Sequence, residues 1–402
     1  MNGRERILAT LKHAEPDKLA IDLGGTDCSS VHLQLYDQLR RELGIAPRPL
    51  QNGCLSQLIA EVDDEVQQRF QASARALHFH ARQYKNWRAP FGTEFLVPQN
   101  WNPVKQSDGG FVIANSQGVA TSRIAADSLY FDPVGYPLAD LQNASELDAH
   151  ASLFEHWDYS AAYDEPLADY GARAQKLHAG TNAVVALYRL HFLQAGQIMR
   201  GYEQFMVDLM IDEPLVQAMM EKLLAVYKRR VTDLARVSRD SIDAIFLTDD
   251  LGTQAGPLIG PDVYRAMIKP YVAELIRHIK KETGNKPVIM HSCGAIRNFI
   301  PDLIEMGVDA VNPVQIAATG MEPASLKKEF GADIAFWGGG CDTQTILNGG
   351  SVTAVQDHVK RNIDIFAPGG GFVFTQVHNI QPGVPVKNII AMYETAMRHG
   401  GY

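Results

Sequence analysis

The sequence predicts an α/β fold, a (β/α)8 barrel (TIM barrel) with a loop or hairpin insertion after the second strand. Eight short apolar runs alternate with segments whose apolar residues recur at helical spacing, which is typical of repeated β–α–β units. Eight such units favour a closed barrel over an open sheet. No Gly-x-Gly-x-x-Gly motif follows the first run, so the sequence gives no support for a dinucleotide-binding sheet.

The predicted strands are apolar runs rich in β-branched and aromatic residues, such as 182–188 (NAVVALY) and 372–377 (FVFTQV). The second strand is assigned to 76–81 (ALHFHA). The eight predicted strands begin at Lys18, Ala76, Asn182, Ile242, Lys286, Val308, Ile334 and Phe372.

Helices are predicted where apolar residues recur every three or four positions. Ile7 and Leu11 lie on one face of the first helix, and Pro16 prevents its continuation. Pro270 should kink the helix over 261–281. The predicted helices cover residues 3–12, 31–43, 61–69, 201–209, 214–237, 261–281, 296–306, 323–330, 352–366 and 385–398.

Residues 87–137 differ from the rest of the chain, because they hold Pro, Gly, Asn and aromatic residues in short alternating runs. Two of these runs, within 111–124, flank a Ser-Gln-Gly sequence and predict a hairpin. The segment is too short and too loop-rich to bury a core of its own. We therefore interpret 87–137 as an insertion and residues 1–402 as a single barrel domain.

The composition limits the classes of partner. With 37 Lys and Arg against 46 Asp and Glu, the net charge of -9 argues against nucleic acid, which requires clustered basic residues. The longest apolar stretch, 183–193, contains Arg189 and His191 and is too short to cross a membrane. Four cysteines in 402 residues do not form a disulfide framework. We expect a cytoplasmic protein with free thiols, and we consider a homodimer.

Polar and sulfur-containing side chains follow nearly every predicted strand. In a barrel, the C-terminal ends of the strands meet at one rim, where the active site lies. We therefore expect these side chains to converge. In chain order they are Asp22, Asp27, Cys28, Arg189, His191, Asp249, Asp250, His291, Ser292, Cys293, Asn312, Gln315, Cys341, Asp342, Gln376, His378 and Asn379.

The pattern that points most specifically to a function is His291-Ser292-Cys293, after the fifth strand. Imidazole and thiolate are ligands that zinc prefers, and Cys341 and His378 follow strands seven and eight, where they could complete the site. Alternatively, the two cysteines are small buried apolar residues and His291 is a hydrogen-bonded core histidine. Cys28 and Cys54 lack such neighbours in the sequence, and we expect both to be core residues.

A second pattern is the adjacent pair Asp249 and Asp250. Together with His378, these carboxylates are candidate catalytic acids and bases, although one of them could instead cap a helix or form a salt bridge. Arg189 with His191 could hold a substrate carboxylate, and a buried ion pair of Arg189 with Asp249 or Asp22 is the alternative. The further candidates for substrate binding are Asp22, Asn312, Gln315 and Gln376.

Several segments resemble the uroporphyrinogen decarboxylase superfamily, and the resemblance covers nearly the whole chain. It includes 4–25 (RERILATLKHAEPDKLAIDLGG) and 246–271 (FLTDDLGTQAGPLIGPDVYRAMIKPY). It continues with 291–315 (HSCGAIRNFIPDLIEMGVDAVNPVQ), 336–344 (FWGGGCDTQ) and 370–394 (GGFVFTQVHNIQPGVPVKNIIAMYE). The resemblance implies a (β/α)8 barrel, in agreement with the strand count.

The superfamily has two branches with different chemistry. True decarboxylases bind a tetrapyrrole without metal and share an Arg-rich loop after strand one and an Asp after strand two. Here the loop after strand one reads DLGGTDCSS and contains no Arg, and strand two ends in HFHARQ without an Asp. Cobamide-dependent methyltransferases, including the methylcobamide:coenzyme M enzymes, carry zinc on a His-x-Cys after strand five, which His291 and Cys293 match. Their third ligand is a Cys after strand eight, where this chain has His378; Cys341 is the other candidate.

The resemblance implies a zinc-dependent methyltransferase that moves a methyl group between a corrinoid and a small molecule such as a thiol or a methyl ether. Zinc lowers the pKa of a bound thiol, or acts as a Lewis acid on an ether oxygen. The chain lacks the Asp-x-His-x-x-Gly pattern of cobalamin domains, so methylcobamide is expected on a partner protein. The alternative is a metal-free decarboxylase or lyase that acts on a carboxylated substrate.

Overall fold

The computed structural model describes residues 1–115, 118–156 and 162–401. Its main sheet has eight parallel strands in the order β1-β8-β7-β6-β5-β4-β3-β2. The amide of Ser73, beside β2, donates to the carbonyl of Ile21 in β1 at 2.7 Å and links the two ends of the sheet. The strands are β1 (Ala20–Ile21), β2 (Ala74–Leu77), β3 (Ala183–Leu187), β4 (Ala244–Thr248), β5 (Val288–His291), β6 (Ala310–Asn312), β7 (Ala335–Trp337) and β8 (Phe372–Phe374).

The predicted fold class, a (β/α)8 barrel with an insertion after the second strand, is confirmed. All eight barrel strands lie at or within a few residues of their predicted positions. The second strand is shifted towards the N-terminus, to Ala74–Leu77, so that His78 and His80 follow its C-terminal end instead of lying inside it.

The barrel interior is filled by alanines, branched aliphatic residues such as Leu187 and Ile289, and two large aromatic residues. Ala20, Ala244 and Ala310 are fully buried there together with Phe246 and Trp337. The first helix, Gly3–Leu11, packs its buried Ile7 and Leu11 against this interior cluster. An Asn2–Glu5 capping box begins that helix, because each side chain accepts a hydrogen bond from the other residue's backbone amide.

Helices lie at all the positions that the apolar spacing predicts, but four helices among the described residues were not predicted: Ala151–His156, Leu167–His178, Leu193–Arg200 and Ile346–Gly349. The predicted helix over 261–281 is two helices that meet at Ile268, and Pro270 lies in the first turn of the second, where a missing N–H costs little. The α-helices are Gly3–Leu11, Leu33–Glu42, Asp64–Arg69, Ala151–His156, Leu167–His178, Leu193–Arg200, Tyr202–Ile211, Glu213–Ser238, Pro261–Met267, Lys269–Thr283, Ile300–Glu305, Pro323–Phe330, Ile346–Gly349, Val352–Phe366 and Val386–His399. In the described part of the chain, 3-10 helices cover Ala144–His150, Arg239–Ser241 and Arg297–Phe299.

The insertion after β2 is antiparallel. One hairpin pairs Tyr84–Arg88 with Glu94–Pro98, and a four-stranded sheet joins Val104–Lys105, Phe111–Ala114, Ala120–Ile124 and Asp132–Pro133. Ser116 and Gln117 of the predicted Ser-Gln-Gly turn lie outside the described residues. The rings of Trp87 and Trp101, 5.0 Å apart, belong to an aromatic cluster that is continuous with the main core.

A further short hairpin, Asn52–Cys54 with Ile59–Ala60, lies between β1 and β2 and was not predicted. Its strands are too short and too mixed in polarity to show a period of two. Among the described residues, no helix has both the length and the apolar character needed to cross a bilayer.

Gly338, directly after β7, is a position where the fold requires glycine. Its φ is 129°, and an added Cβ would lie 1.9 Å from the carbonyl oxygen of Pro313. We expect Gly338→Ala to lower the free energy of unfolding by at least about 2 kcal/mol, because both the backbone angle and the space exclude a side chain. Gly349→Ala, at a helical site with nothing within 4 Å of the new Cβ, is the matched control. Equal urea midpoints for the two variants would contradict the prediction.

Candidate metal centre

Five side chains with metal-binding atoms meet at the C-terminal rim of the barrel: Cys28, Asp250, His291, Cys293 and His378. Two overlapping groups of three, Cys28–His291–His378 and Asp250–His291–Cys293, each have their donor atoms within 4.8 Å of one another. His291 is the last residue of β5, and the others follow β1, β4, β5 and β8. The convergence follows from parallel strands that end at one rim.

His291 is the centre of the cluster. Its Nδ1 lies 3.1 Å from the Cys28 Sγ, and its Nε2 lies 3.3 Å from the Cys293 Sγ and 3.4 Å from the Asp250 Oδ1. The Asp250 carboxylate also accepts the Cys293 backbone amide at 2.9 Å. The two sulfur atoms therefore lie on opposite sides of the imidazole.

Asn312, at the end of β6, decides which nitrogen of His291 carries the proton. Its side-chain amide donates to the carbonyl of Trp337 at 2.9 Å, so its Oδ1 is the atom that faces His291 Nδ1, also at 2.9 Å. An amide oxygen only accepts, so Nδ1 must be the protonated nitrogen. The lone pair of the neutral imidazole is then on Nε2, on the side of Cys293 and Asp250. Metal-binding histidines commonly have this arrangement.

His378 lies across from His291, with ring centroids 5.6 Å apart. Its backbone has a positive φ of 61°, which is rare for a residue with a side chain and is typical of functional sites. The Asn379 backbone amide donates to its Nδ1 at 2.9 Å. In the neutral ring, the proton is therefore on Nε2, and His378 is better suited to donate a hydrogen bond than to bind a metal.

The charges within the cluster are strongly coupled. Burial disfavours the thiolate, but the imidazoles of His291 and His378 outweigh this and lower the pKa of Cys28 to about 7. Burial also disfavours the two imidazolium ions, yet the sulfur atoms of Cys28 and Cys293 raise the pKa of both histidines. Burial opposes ionisation of Asp250, and His291 nevertheless holds its pKa below the usual range.

The donor set fits a zinc ion. Bonds of roughly 2.0–2.3 Å at tetrahedral angles place two donors about 3.4–3.6 Å apart. The separations from His291 Nε2 to Cys293 Sγ and Asp250 Oδ1, 3.3 and 3.4 Å, are close to these tetrahedral edges. Sulfur, imidazole nitrogen and carboxylate oxygen are all zinc ligands, and three protein ligands leave one position for a substrate.

Two of the cysteine assignments change. Cys28 was expected to be a core residue, but its sulfur is part of the cluster, because the loop after β1 turns towards His291. Cys341 was a candidate ligand, but its side chain is completely buried in the apolar core, with Asp342 O at 3.8 Å as its polar contact. Burial raises the pKa of Cys341, which disfavours the thiolate that a metal requires. Cys54 is buried, as expected.

Asp249, predicted as a catalytic residue, is used as a helix cap. Its two oxygens accept the backbone amides of Phe192, Leu193 and Gln194 at 2.9–3.0 Å, at the start of Leu193–Arg200. Burial raises its pKa to about 6 against the effect of these three donors. The alternative role, capping, therefore describes Asp249 in this structure.

Arg189 and His191 already have protein partners. The guanidinium of Arg189 makes two hydrogen bonds to Asp27, at 2.7 and 2.8 Å, and a third to the Gly53 carbonyl. Arg189 is therefore in an ion pair, but its partner is Asp27 and not Asp249 or Asp22, the two partners expected from the sequence. His191 Nδ1 lies 2.5 Å from Gln194 Oε1.

The other residues predicted to bind substrate hold the rim together. Asp22 accepts the indole N–H of Trp337 at 2.7 Å, and burial raises the pKa of Asp22 to about 6. Gln376 is fully buried and donates to the carbonyl of Cys28 at 3.1 Å. Gln315 accepts the amide of Gly294, next to Cys293, at 2.8 Å. These contacts position the cluster.

The capping role of Asp249 can be tested by its effect on stability. In metal-free buffer, Asp249→Ala should lower the free energy of unfolding by roughly 2–4 kcal/mol, because three amides lose their acceptor. Asp212→Ala is the matched control, since the Asp212 carboxylate caps Glu213–Ser238 through one backbone amide, that of Leu215. Urea denaturation would measure both. A loss for Asp212→Ala as large as that for Asp249→Ala would contradict the assignment.

Comparison with known proteins identifies the family. A family model described as Uroporphyrinogen decarboxylase (URO-D) matches residues 190–399. The fold is similar to that of a methyltransferase from Methanosarcina mazei, with a TM-score of 0.61 and 14% identity over 98% of each chain. An endo-1,4-beta-xylanase from Caldicellulosiruptor owensensis aligns over 60% of this chain and 83% of that chain, at 9% identity and a TM-score of 0.34, which is too low to support a relationship. No curated protein sequence matches the chain.

The family match covers more than half of the chain, and the resemblance found in the sequence is confirmed. This protein therefore belongs to the uroporphyrinogen decarboxylase family and has a barrel like that of the methyltransferase.

Proposed function

We propose that this protein is a zinc-dependent methyltransferase that exchanges a methyl group between a corrinoid, carried by a partner protein, and a small thiol or methyl ether. The observation that carries the proposal is the Asn312-oriented imidazole of His291, whose Nε2 lone pair lies beside Cys293 and Asp250. A sulfur, nitrogen and oxygen donor set at a barrel rim is suited to zinc.

In this proposal, His291, Cys293 and Asp250 hold the metal. Zinc, when bound, supplies a Lewis acid that lowers the pKa of a substrate thiol or polarises an ether oxygen. Asn312 keeps His291 in the tautomer that offers Nε2. His378, with its proton on Nε2, can donate a hydrogen bond to a substrate sulfur or oxygen.

Cys28 has a supporting role in this proposal. Its sulfur lies on the Nδ1 side of His291, away from the lone pair, and its backbone carbonyl is held by Gln376. Cys28 therefore affects the charges at the rim, and it is not one of the three metal ligands. The pairing of Arg189 with Asp27 occupies the guanidinium that was the candidate for holding a substrate carboxylate, which favours methyl transfer over the decarboxylase alternative.

The direct test is an activity assay with methylcobalamin as methyl donor. Zinc-loaded protein should demethylate methylcobalamin in the presence of a member of a panel of small thiols, as followed by the change in its visible spectrum. Cys293→Ala should lose this activity. Inactivity with every thiol and, in the reverse direction, with every methyl ether tested would overturn the proposal. Release of carbon dioxide from a carboxylated substrate by metal-free protein would establish the lyase alternative.

Zinc affinity should distinguish Cys293 from Cys341. Cys293→Ala should lower the zinc affinity of this centre by more than the roughly 10- to 100-fold that loss of an outer contact costs, because it removes a ligand. Cys341→Ala should leave the affinity unchanged, since Cys341 lies in the apolar core away from the cluster. Competition with a chromophoric chelator measures both values. Equal zinc affinities of Cys293→Ala and Cys341→Ala would contradict the assignment of Cys293 as a ligand.

The orientation of His291 by Asn312 can be tested by substitution of Asn312. Asn312→Ala should weaken zinc binding about 10- to 100-fold, because His291 loses the acceptor that orients it. Asn388→Ala is the matched control: Asn388 is equally buried and donates to the carbonyls of Leu347 and Gly350, but its side chain does not contact the cluster. Chelator competition, with circular dichroism to verify folding, compares the variants. If the Asn388 variant loses as much affinity, orientation of His291 is not the cause.

A further inference from the structure

We propose a second metal site, formed by Glu61, His78 and His80, that takes a single divalent transition-metal ion such as Zn²⁺ through nitrogen and oxygen ligands alone. The donor atoms of the three residues lie within 4.8 Å of one another. None of these residues belongs to the sulfur-containing centre, so the two sites share no ligand and the second does not rest on the proposed methyl transfer.

The local fold brings the two histidines together. His78 and His80 follow the end of β2 with a spacing of two, which in extended chain places both side chains on the same side. Their ring centroids are 5.0 Å apart. Glu61 comes directly after the strand Ile59–Ala60 and extends its carboxylate towards both rings.

The distances fit a shared ion better than direct hydrogen bonds. The Glu61 Oε2 lies 3.6 Å from the His78 Nε2 and 3.3 Å from the His80 Nε2. Good hydrogen bonds between such groups are about 2.7–3.2 Å long. Donors on a tetrahedral zinc with bonds of roughly 2.1 Å lie about 3.4 Å apart. Both separations are close to that edge.

The three atoms also have no other partner. Glu61 Oε2, His78 Nε2 and His80 Nε2 are all buried and make no hydrogen bond. His78 as a residue is only 5% exposed. A buried polar atom without a partner costs roughly 1–3 kcal/mol, and three that face one point indicate that something binds there.

An ion pair holds the histidine segment in place. Arg173 and Glu165 form a salt bridge, and the two partners reach the backbone on either side of Phe79. Arg173 donates to the carbonyl of His78, and Glu165 accepts the amide of His80 at 3.0 Å. The main chain that carries both imidazoles is therefore fixed before any ion binds, which favours binding.

The site has an open side. Glu61 and His80, with Tyr84, line a cleft of about 670 Å³, while Glu61 and His78 also line a smaller cavity of about 80 Å³. Three protein ligands beside a cleft leave a coordination position for water or a small ligand. Two imidazoles with one carboxylate favour an ion of borderline softness, such as Zn²⁺ or Co²⁺.

The experiment titrates the metal-free full-length protein with Co²⁺ and measures equivalents bound and the absorption spectrum. Wild-type protein should bind about two equivalents, one with a sulfur-to-cobalt charge-transfer band and one without it. Cys293→Ala should lose the band and keep about one equivalent. Glu61→Gln and His80→Gln should keep the band and lose the other equivalent. His399→Gln, at an exposed histidine that pairs with Asp364, is the control and should bind as wild type.

Two results would overturn the second site. One is metal binding by Glu61→Gln and His80→Gln that equals wild type in both stoichiometry and affinity. The other is a Cys293→Ala protein that binds no ion, and this outcome does not depend on whether the Glu61 and His80 variants fold. If the sulfur-containing centre does not bind metal, the result is different, because the charge-transfer band would then be missing from the wild-type protein.

Discussion

The parallel register of β4, β5 and β6 is the constraint on which the rest of the site depends. Thr248 pairs with His291, and His291 pairs with Asn312, so that three neighbouring strands end at one level. Asp250 and Cys293 then follow in adjacent loops. A slip of one residue in β5 would turn His291 towards the surrounding helices, because successive side chains point to opposite faces.

A chain of buried hydrogen bonds crosses this rim. It begins at Asp22 after β1, which accepts the indole of Trp337 in β7. The carbonyl of Trp337 accepts the amide of Asn312 in β6, and Asn312 accepts the imidazole of His291 in β5. The bond to the Trp337 carbonyl fixes which end of the Asn312 amide faces His291, so the tautomer of His291 depends on residues in two neighbouring strands, β6 and β7.

The two proposed metal sites differ in how well their polar groups are satisfied. In the sulfur centre, His291 Nδ1 has a hydrogen-bonding partner in Asn312, and the pKa values of Cys28 and His378 respond to one another. In the Glu61 cluster, the nitrogen and oxygen atoms that face each other have none. The first arrangement orients a ligand in advance, whereas the second keeps unpaired atoms buried, a cost that a bound ion would offset.

The sequence by itself determined the barrel, the identity of most of its strands and the His291-x-Cys293 pair, because these depend on local periodicity and on adjacent residues. Only the tertiary structure decided that Cys28 faces His291, that Cys341 is buried in the core and that Asp249 caps a helix. Those assignments depend on contacts between residues more than fifty positions apart, which no local pattern encodes. The contact of Glu61 with His78 and His80 spans fewer than twenty positions, but it too depends on tertiary structure, because the hairpin before β2 must fold against the end of that strand.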